Sequence, residues 1–340
     1  MNKKVVNFGE IMLRLTPPDY ERIAQTRSFK VYYGGAESNV AATLAQLGLD
    51  SYFVTKLPLN EAGKAALSYL RAFGINLEYI IFGGDRLGIY YCEDGASQRG
   101  SNIIYDRSNS SIALADISDF DWDKIFNDVS LFHYTGITAG LSENVRQILF
   151  EALKKAKDKN IIVSCDLNYR AKLWSKEQAN KTMTEMMKFT DILIANEEDA
   201  ENVFGISSGS DIESGKIDID GFKEVARKLF GKFKFKLVAS HLRESITAND
   251  NGWQVIFFDG SSFAASRKYN IHIVDRVGAG DAFVGGLIYC YLMGKNLQES
   301  AEFSAASGCL KHTVPGDFNV VSVAEIEGLA EGKGSGRVQR

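Results

Sequence analysis

The sequence predicts an α/β protein with a mostly parallel central sheet between helical layers and a small β-sheet lid beside it. Two observations predict it. Short runs rich in β-branched and aromatic residues alternate with longer helical patterns, and two hairpin-like stretches, about 15–34 and 78–107, interrupt that alternation.

The alternation is clearest in mid-chain. Val129 to Tyr134, Ile161 to Asp166 and Ile192 to Ala195 read as strands, with Glu143 to Lys159 and Trp174 to Phe189 as the helices between them. Units of this kind place their strands parallel. Strands that finish on polar residues would deliver Asp166, Asn168 and Asn196 to the carboxyl edge of the sheet, where open α/β sheets bind ligands. In the second interrupting stretch, Gly88 to Cys92 and Ser101 to Tyr105 flank a turn rich in Gly, Ser and Asp, which is a hairpin pattern. A flap of this sort beside a crevice would exclude water from it. Residues 1–330 read as one domain and 331–340 as a low-complexity, disordered tail.

Composition narrows the function. The chain has 340 residues, 45% of them hydrophobic, enough for a sizeable core. With 39 basic and 43 acidic residues it carries a formal charge of −4, so no basic excess points to nucleic acid or an anionic membrane. Cys92, Cys165, Cys290 and Cys309 lie far apart without CxxC spacing, and the four histidines show no metal-ligand pattern. Buried, reduced thiols in a cytoplasmic protein are the expectation. The N-terminus lacks an apolar export region, and the longest uncharged stretch, Ala282 to Gly294, is shorter than the roughly 20 residues a membrane span needs. That stretch reads as a buried helix.

Chemistry concentrates at two glycine-bearing turns. Asp275-Arg-Val-Gly278-Ala279-Gly280-Asp281 leads directly into the apolar run from Ala282 to Met293. Small residues ahead of a buried helix leave main-chain N–H groups uncovered at its positive end, a natural seat for a phosphoryl group. An aspartate in the first turn could take a proton from an attacking hydroxyl, or it could simply cap the helix. The second turn, Tyr33-Gly34-Gly35-Ala36-Glu37-Ser38-Asn39, opens a helix that stops at Gly48. Its paired glycines would let main chain approach a ligand, and Asn39 could offer an amide to sugar hydroxyls.

Together with Asn196-Glu197-Glu198-Asp199, these motifs resemble in order and spacing the ribokinase-like, or PfkB-type, carbohydrate kinases, over roughly residues 4 to 329. The resemblance implies a three-layer α/β/α body with a lid, ATP as donor and Mg2+ as metal. It implies that Asp281 activates the acceptor hydroxyl while the amides of Gly278, Ala279 and Gly280 form an anion hole. It assigns ATP contacts to Asn168, Asn196, Ser240, Arg243, Gly278 and Gly280, and the metal to Glu198 and Asp199 through water. Three departures stand out. Asp199 replaces the usual glutamate, Ser240-His-Leu-Arg243 lacks the family's glycine turn, and Arg276-Val277 replaces two small hydroxyl residues, which bears on an expected monovalent cation.

Within the family the chain is most similar to 2-keto-3-deoxygluconate kinases, through Gly88-Ile-Tyr90, Tyr105-Asp-Arg107 and Asp166-Leu-Asn168-Tyr-Arg170. That similarity implies a sugar-acid site built from Gly34, Gly35, Asn39, Tyr90, Tyr105, Arg107, Arg170, Asp281 and Asp317. Two arginines suit a carboxylate, which a planar guanidinium fork matches. The remaining expectations are phosphorylation of the 6-hydroxyl and a homodimer formed through the lid. Alternatives are a kinase for ribose, fructose or a nucleoside, a non-catalytic sugar sensor, and a Rossmann dehydrogenase, which the late position of Gly278-Ala-Gly280 disfavours.

Overall fold

The structure is a computed structural model that describes residues 3–208 and 218–334. Along the chain, β1 (Lys4–Phe8) is followed by β2 (Met12–Thr16), β3 (Lys30–Gly34), α1 (Ala36–Gln46), β4 (Asp50–Leu57), α2 (Glu61–Ala72) and β5 (Ile80–Phe82). Then come β6 (Gly88–Glu93), β7 (Asn102–Asp106), α3 (Trp122–Ile125), β8 (Val129–Thr135), α4 (Gly136–Gly140), α5 (Glu143–Asp158), β9 (Ile162–Asp166), α6 (Lys176–Met186) and β10 (Ile192–Ile194). The last third holds α7 (Glu197–Phe204), α8 (Ile219–Phe233), β11 (Leu237–Ser245), β12 (Asp250–Phe258), β13 (Phe263–Ala265), β14 (Tyr269–His272), α9 (Ala279–Met293), α10 (Leu297–Lys311) and α11 (Val323–Ala330).

The large sheet runs β13-β12-β11-β10-β9-β8-β1-β4-β5, with β14 also paired to β12. From β11 to β5 every pairing is parallel, and β12 is antiparallel to β11, β13 and β14. Alternate residues feed two cores, as the two-residue period of a strand requires. Val5, Leu131, Ile192 and Phe257 pack with α1, α9 and α10 on one face. Val6, Phe132, Leu193 and Ile256 pack with α5, α6 and α8 on the other. The result is three layers, as expected.

The second sheet has the order β3-β2-β6-β7. Its limits differ from the expected ones. Its first strand begins at Met12, and Ile80–Phe82 pairs parallel with β4 at the edge of the large sheet, so the second stretch joins the small sheet only at Gly88. All four cysteines are free and buried. Among the described residues no helix is long and apolar enough to cross a membrane. Of the expected disordered tail, 335–340 lie outside the described residues, while Glu331–Gly334 end the last helix in a turn.

Candidate active site

β1 sits between β4 and β8, so the chain builds the sheet outward from it in both directions. Such a switch point leaves a crevice at the carboxyl ends of the strands. A cavity of about 380 Å³ opens there. The small sheet contributes Met12, Gly34, Tyr90, Ile103 and Tyr105, with Arg107 just beyond β7. Strand ends and the loops after them contribute Asp166, Asn168, Arg170, Asn196 and Asp199, and the mouth of α9 contributes Gly278, Gly280 and Asp281.

Gly278 opens α9 at φ 82°, a left-handed conformation that glycine tolerates. A side chain there would also strike the Asp317 carbonyl at 1.9 Å. No side chain caps this end, so Asp281 is not the helix cap. Its carboxylate accepts a 2.6 Å bond from Asn39 Nδ2, while Asn39 Oδ1 accepts the Gly35 N–H at 3.2 Å. One of the two donors of the Asn39 amide expected to serve sugar hydroxyls thus goes to Asp281. Burial pushes Asp281 up to about 7; the Asn39 bond opposes this, and Glu37 and Asp317 add to it. The Ala279 N–H turns back toward the Arg276 carbonyl at 3.4 Å, and Ala279, fully buried, does not line the cavity. Of the three residues expected to form the anion hole, Gly278 and Gly280 line the cavity.

Glu37 lies beside the switch point, where Oε1 accepts the Thr135 N–H (3.0 Å) and the hydroxyls of Thr135 (2.7 Å) and Thr138 (2.6 Å). Burial raises its pKa against those bonds. Asp166 and Asp199 share the cavity wall. Burial, then Asp199 and Asp281, push Asp166 well above the usual carboxylate range, and burial lifts Asp199 to about 6. A buried carboxyl raised by neighbouring carboxylates, as Asp166 is, suits a nearby positive charge. Among the described residues no three His, Cys, Asp or Glu side chains group as a metal-ligand set. Glu198 departs from expectation: it is exposed and lies off the cavity, whose wall near α7 carries the carboxylates of Asp199 and Asp166 instead. Asn196 Oδ1 caps α7 on the Asp199 N–H at 2.7 Å.

The arginines divide. Arg107 donates Nε to Glu10 Oε2 at 2.7 Å and a second N–H to the same oxygen, and Ser110 bonds the other oxygen at 2.5 Å. Arg170 makes one bond, to the Tyr169 carbonyl at 3.2 Å, and no ion pair among the described residues. Tyr105 is partly exposed, under the Arg107 guanidinium at 5.5 Å. Asp317 is not free for an acceptor hydroxyl as expected. It is 1% exposed, takes the Tyr90 hydroxyl, and pairs with Arg14 at 3.0 Å. Burial raises the Asp317 carboxyl and Arg14 pulls it back; burial opposes the charge on Arg14, but the carboxylates of Asp317 and Asp275 outweigh it and hold the guanidinium charged.

On β11, alternation turns His241 and Arg243 toward the cavity. Ser240 faces away, 1% exposed, its hydroxyl on the His241 carbonyl at 3.3 Å, so it is not placed for ATP. Asp275 holds Arg14 at 2.8 Å and the N–H groups of Val277 and Gly316 at 3.0 and 2.9 Å. Both its oxygens are engaged, and Arg14 supplies the positive charge a monovalent ion would bring, so that expectation does not fit.

With this geometry in place, comparison with known proteins decides the family. Residues 2–322 match the model of the pfkB family carbohydrate kinases. The chain belongs to that family. One relative of this pfkB kinase, the 2-dehydro-3-deoxygalactonokinase of Haloferax volcanii, is 33% identical over 338 residues, 99% of each chain. The crystal structure of 2-dehydro-3-deoxygluconokinase from Thermotoga maritima is 54% identical, covering 97% of this chain and 100% of that one, with a TM-score of 0.94. A fructokinase from Xylella fastidiosa with bound ATP shares the fold at 20% identity, covering 98% and 99%, with a TM-score of 0.75. Kinases of this family use ATP with Mg2+.

Several cavity residues of the pfkB kinase escaped the sequence reading: Glu10, Glu37, His241 and Arg276 line the cavity, and Arg14 and Asp275 brace it. Glu37 lay inside the Gly34–Asn39 motif, where an acidic residue in a first helical turn is ordinary. Arg14 carried a signal: it shares a strand face with Met12 and Thr16, all three buried, and an inward arginine on a strand demands a partner.

Proposed function

We propose that this pfkB kinase transfers the γ-phosphoryl group of ATP to the 6-hydroxyl of 2-keto-3-deoxygluconate, also called 2-dehydro-3-deoxygluconate, with Asp281 as general base. The observation that carries the reading is the Asp281 carboxylate at the uncapped mouth of α9, sharing one cavity with Gly34, Arg107 and Arg170.

In this mechanism Asp281 takes the hydroxyl proton as the sugar oxygen bonds to phosphorus; the bond to the β-phosphate oxygen breaks and its electrons leave on ADP. Main-chain N–H groups around Gly278 and Gly280 stabilise the transferring group. Asp166 and Asp199 would hold Mg2+ through water, and the ion would supply neutralising charge on the phosphate oxygens. Arg170 forks the sugar-acid carboxylate, and Arg107, oriented by Glu10, presents its remaining face to the same substrate. Asn39 positions the base, and Asn168 and Asn196 lie along the donor phosphates. The small sheet acts as the lid that excludes water. A homodimer through the lid accords with exposed Val31 on β3 and Ile104 on β7, the two edge strands.

The Haloferax relative favours one alternative acceptor, 2-dehydro-3-deoxygalactonate. Coupled ADP release across both sugar acids, fructose, ribose and adenosine tests the reading. The gluconate-derived acid should give the highest kcat/KM. Preference for a neutral sugar or nucleoside rejects the acid assignment, and preference for the galactonate-derived acid selects the alternative.

A further inference from the structure

A buried ion cluster fastens the small sheet to the body, and the phosphoryl-transfer chemistry described above does not use it. Arg14, on β2, has a side chain with no exposed surface. Its Nη1 lies 2.8 Å from Asp275 Oδ2 and 3.0 Å from Asp317 Oδ2, and its Nε donates to Thr16 Oγ1 at 2.8 Å. Tyr90, the residue in register with Arg14 across β2 and β6, donates its hydroxyl to the other oxygen of Asp317.

The two carboxylates belong to body segments that shape the mouth of α9. Asp275 Oδ1 accepts the Val277 N–H at 3.0 Å, and Oδ2 also accepts the Gly316 N–H at 2.9 Å. The main-chain carbonyl of Asp317 packs against Gly278 so closely that a Cβ there would lie 1.9 Å from it. A guanidinium carried by the small sheet is therefore joined, through one carboxylate, to the main chain of a turn that lines the cavity with Val277, Gly278 and Gly280. Two buried carboxylates without this cation would each have to find water, a proton or another partner, and any of these moves the turn.

We propose that Arg14 is a positioning residue for phosphoryl transfer, holding Asp275, and through it the Val277–Gly280 turn, in the shape that receives the phosphoryl group. The inference rests on the kinase reading above. It makes the seating of the small sheet and the formation of the anion-binding turn one event, because the same guanidinium completes both. A turn misplaced by about 1 Å is enough to cost on the order of 100-fold in rate.

The test compares Arg14→Met, Arg14→Lys and Arg14→Ala with wild type by coupled ADP release. Arg14→Met should lower kcat roughly 10- to 100-fold while the KM for the sugar acid stays within about threefold. Arg14→Lys should recover part of kcat, and methylguanidinium, which replaces the lost cation, should raise the kcat of Arg14→Ala several-fold. Unchanged kcat, a rise in KM alone, or no rescue by methylguanidinium overturns the proposal, since a purely structural staple would not respond to a free cation. If the neutral variants do not fold, hydrogen exchange on Arg14→Lys carries the test. Faster exchange is expected together at Val277–Gly280 and in residues 88–93 and 102–106; a turn that exchanges at the wild-type rate overturns it. That measurement needs no turnover, so a wild-type enzyme inactive on every acceptor would reject the kinase reading while leaving the coupling testable.

Discussion

Asn39 Nδ2 donates to Asp281 Oδ2 at 2.6 Å, across 242 positions of sequence, and so ties the first helix of the body to the proposed base. The bond favours the ionised carboxylate. It acts against burial, the larger influence, which lifts Asp281 to about 7; Glu37 and Asp317 add to the rise, and Arg170 opposes it. A general base must be ionised to accept a proton, so kcat/KM should fall as pH drops through about 7. Asn39→Leu removes a lowering influence and should move this acid limb to higher pH by up to about one unit. A pH–rate profile whose limb stays put or moves to lower pH would contradict the assignment.

The same shift gives a stability prediction with a definite sign. The folded pKa of Asp281 lies above its unfolded value near 3.8, so folding disfavours the ionised form. This destabilisation is absent below pH 4, grows as pH rises toward 7, and is complete above it. Asp281→Asn should therefore melt above wild type at pH 8, with the difference shrinking toward pH 4, while kcat drops roughly 10²- to 10⁴-fold. Near-normal turnover by this variant would remove Asp281 as the base.

For the sugar acid, the two arginines are no longer equivalent. Arg107 is neutralised by Glu10, whereas Arg170 has no ion pair among the described residues and bonds only a main-chain carbonyl. A charge-assisted bond contributes about 1.5–3 kcal/mol. Arg170→Ala should thus lower kcat/KM for the acid by roughly 10- to 100-fold and leave a neutral acceptor almost unaffected. An equal loss on both acceptors would make Arg170 a structural residue instead.

The layered body was legible because its parallel strands and helices alternate at full length, and because strand-end residues such as Asp166 and Asn196 mark the carboxyl edge. Ile80–Phe82 was not: three residues are too few for a period to say which sheet they join. Asn39 was legible as a cavity residue, but its partner across 242 positions was not, and neither was the pairing of Asp317 with Arg14, 303 positions apart. Ser240 and Arg243 could not both face the nucleotide, since residues three apart on a strand point to opposite faces. Sequence offered both, and only the fold chose the parity.

That parity bears on the donor. Arg243 and Arg276 both line the cavity near Gly278, and neither forms an ion pair among the described residues. Arg243 Nε is buried without a hydrogen-bond partner, and its guanidinium lies 5.8 Å from the Trp253 ring. Burial and the neighbouring Arg276 lower Arg243 to about 10, which still leaves it charged at neutral pH. Two guanidiniums held close without an opposing carboxylate repel each other, and a polyphosphate bound between them would relieve that repulsion. Arg243→Met should therefore raise the KM for ATP roughly 10-fold or more and leave the KM for the sugar acid within about twofold, with Arg243→Lys intermediate. Added salt should weaken ATP binding less in Arg243→Met than in wild type, because one charged contact is already gone. Trp253 fluorescence offers a direct titration of ATP, and an unchanged ATP affinity in Arg243→Met would place the donor phosphates elsewhere in the cavity.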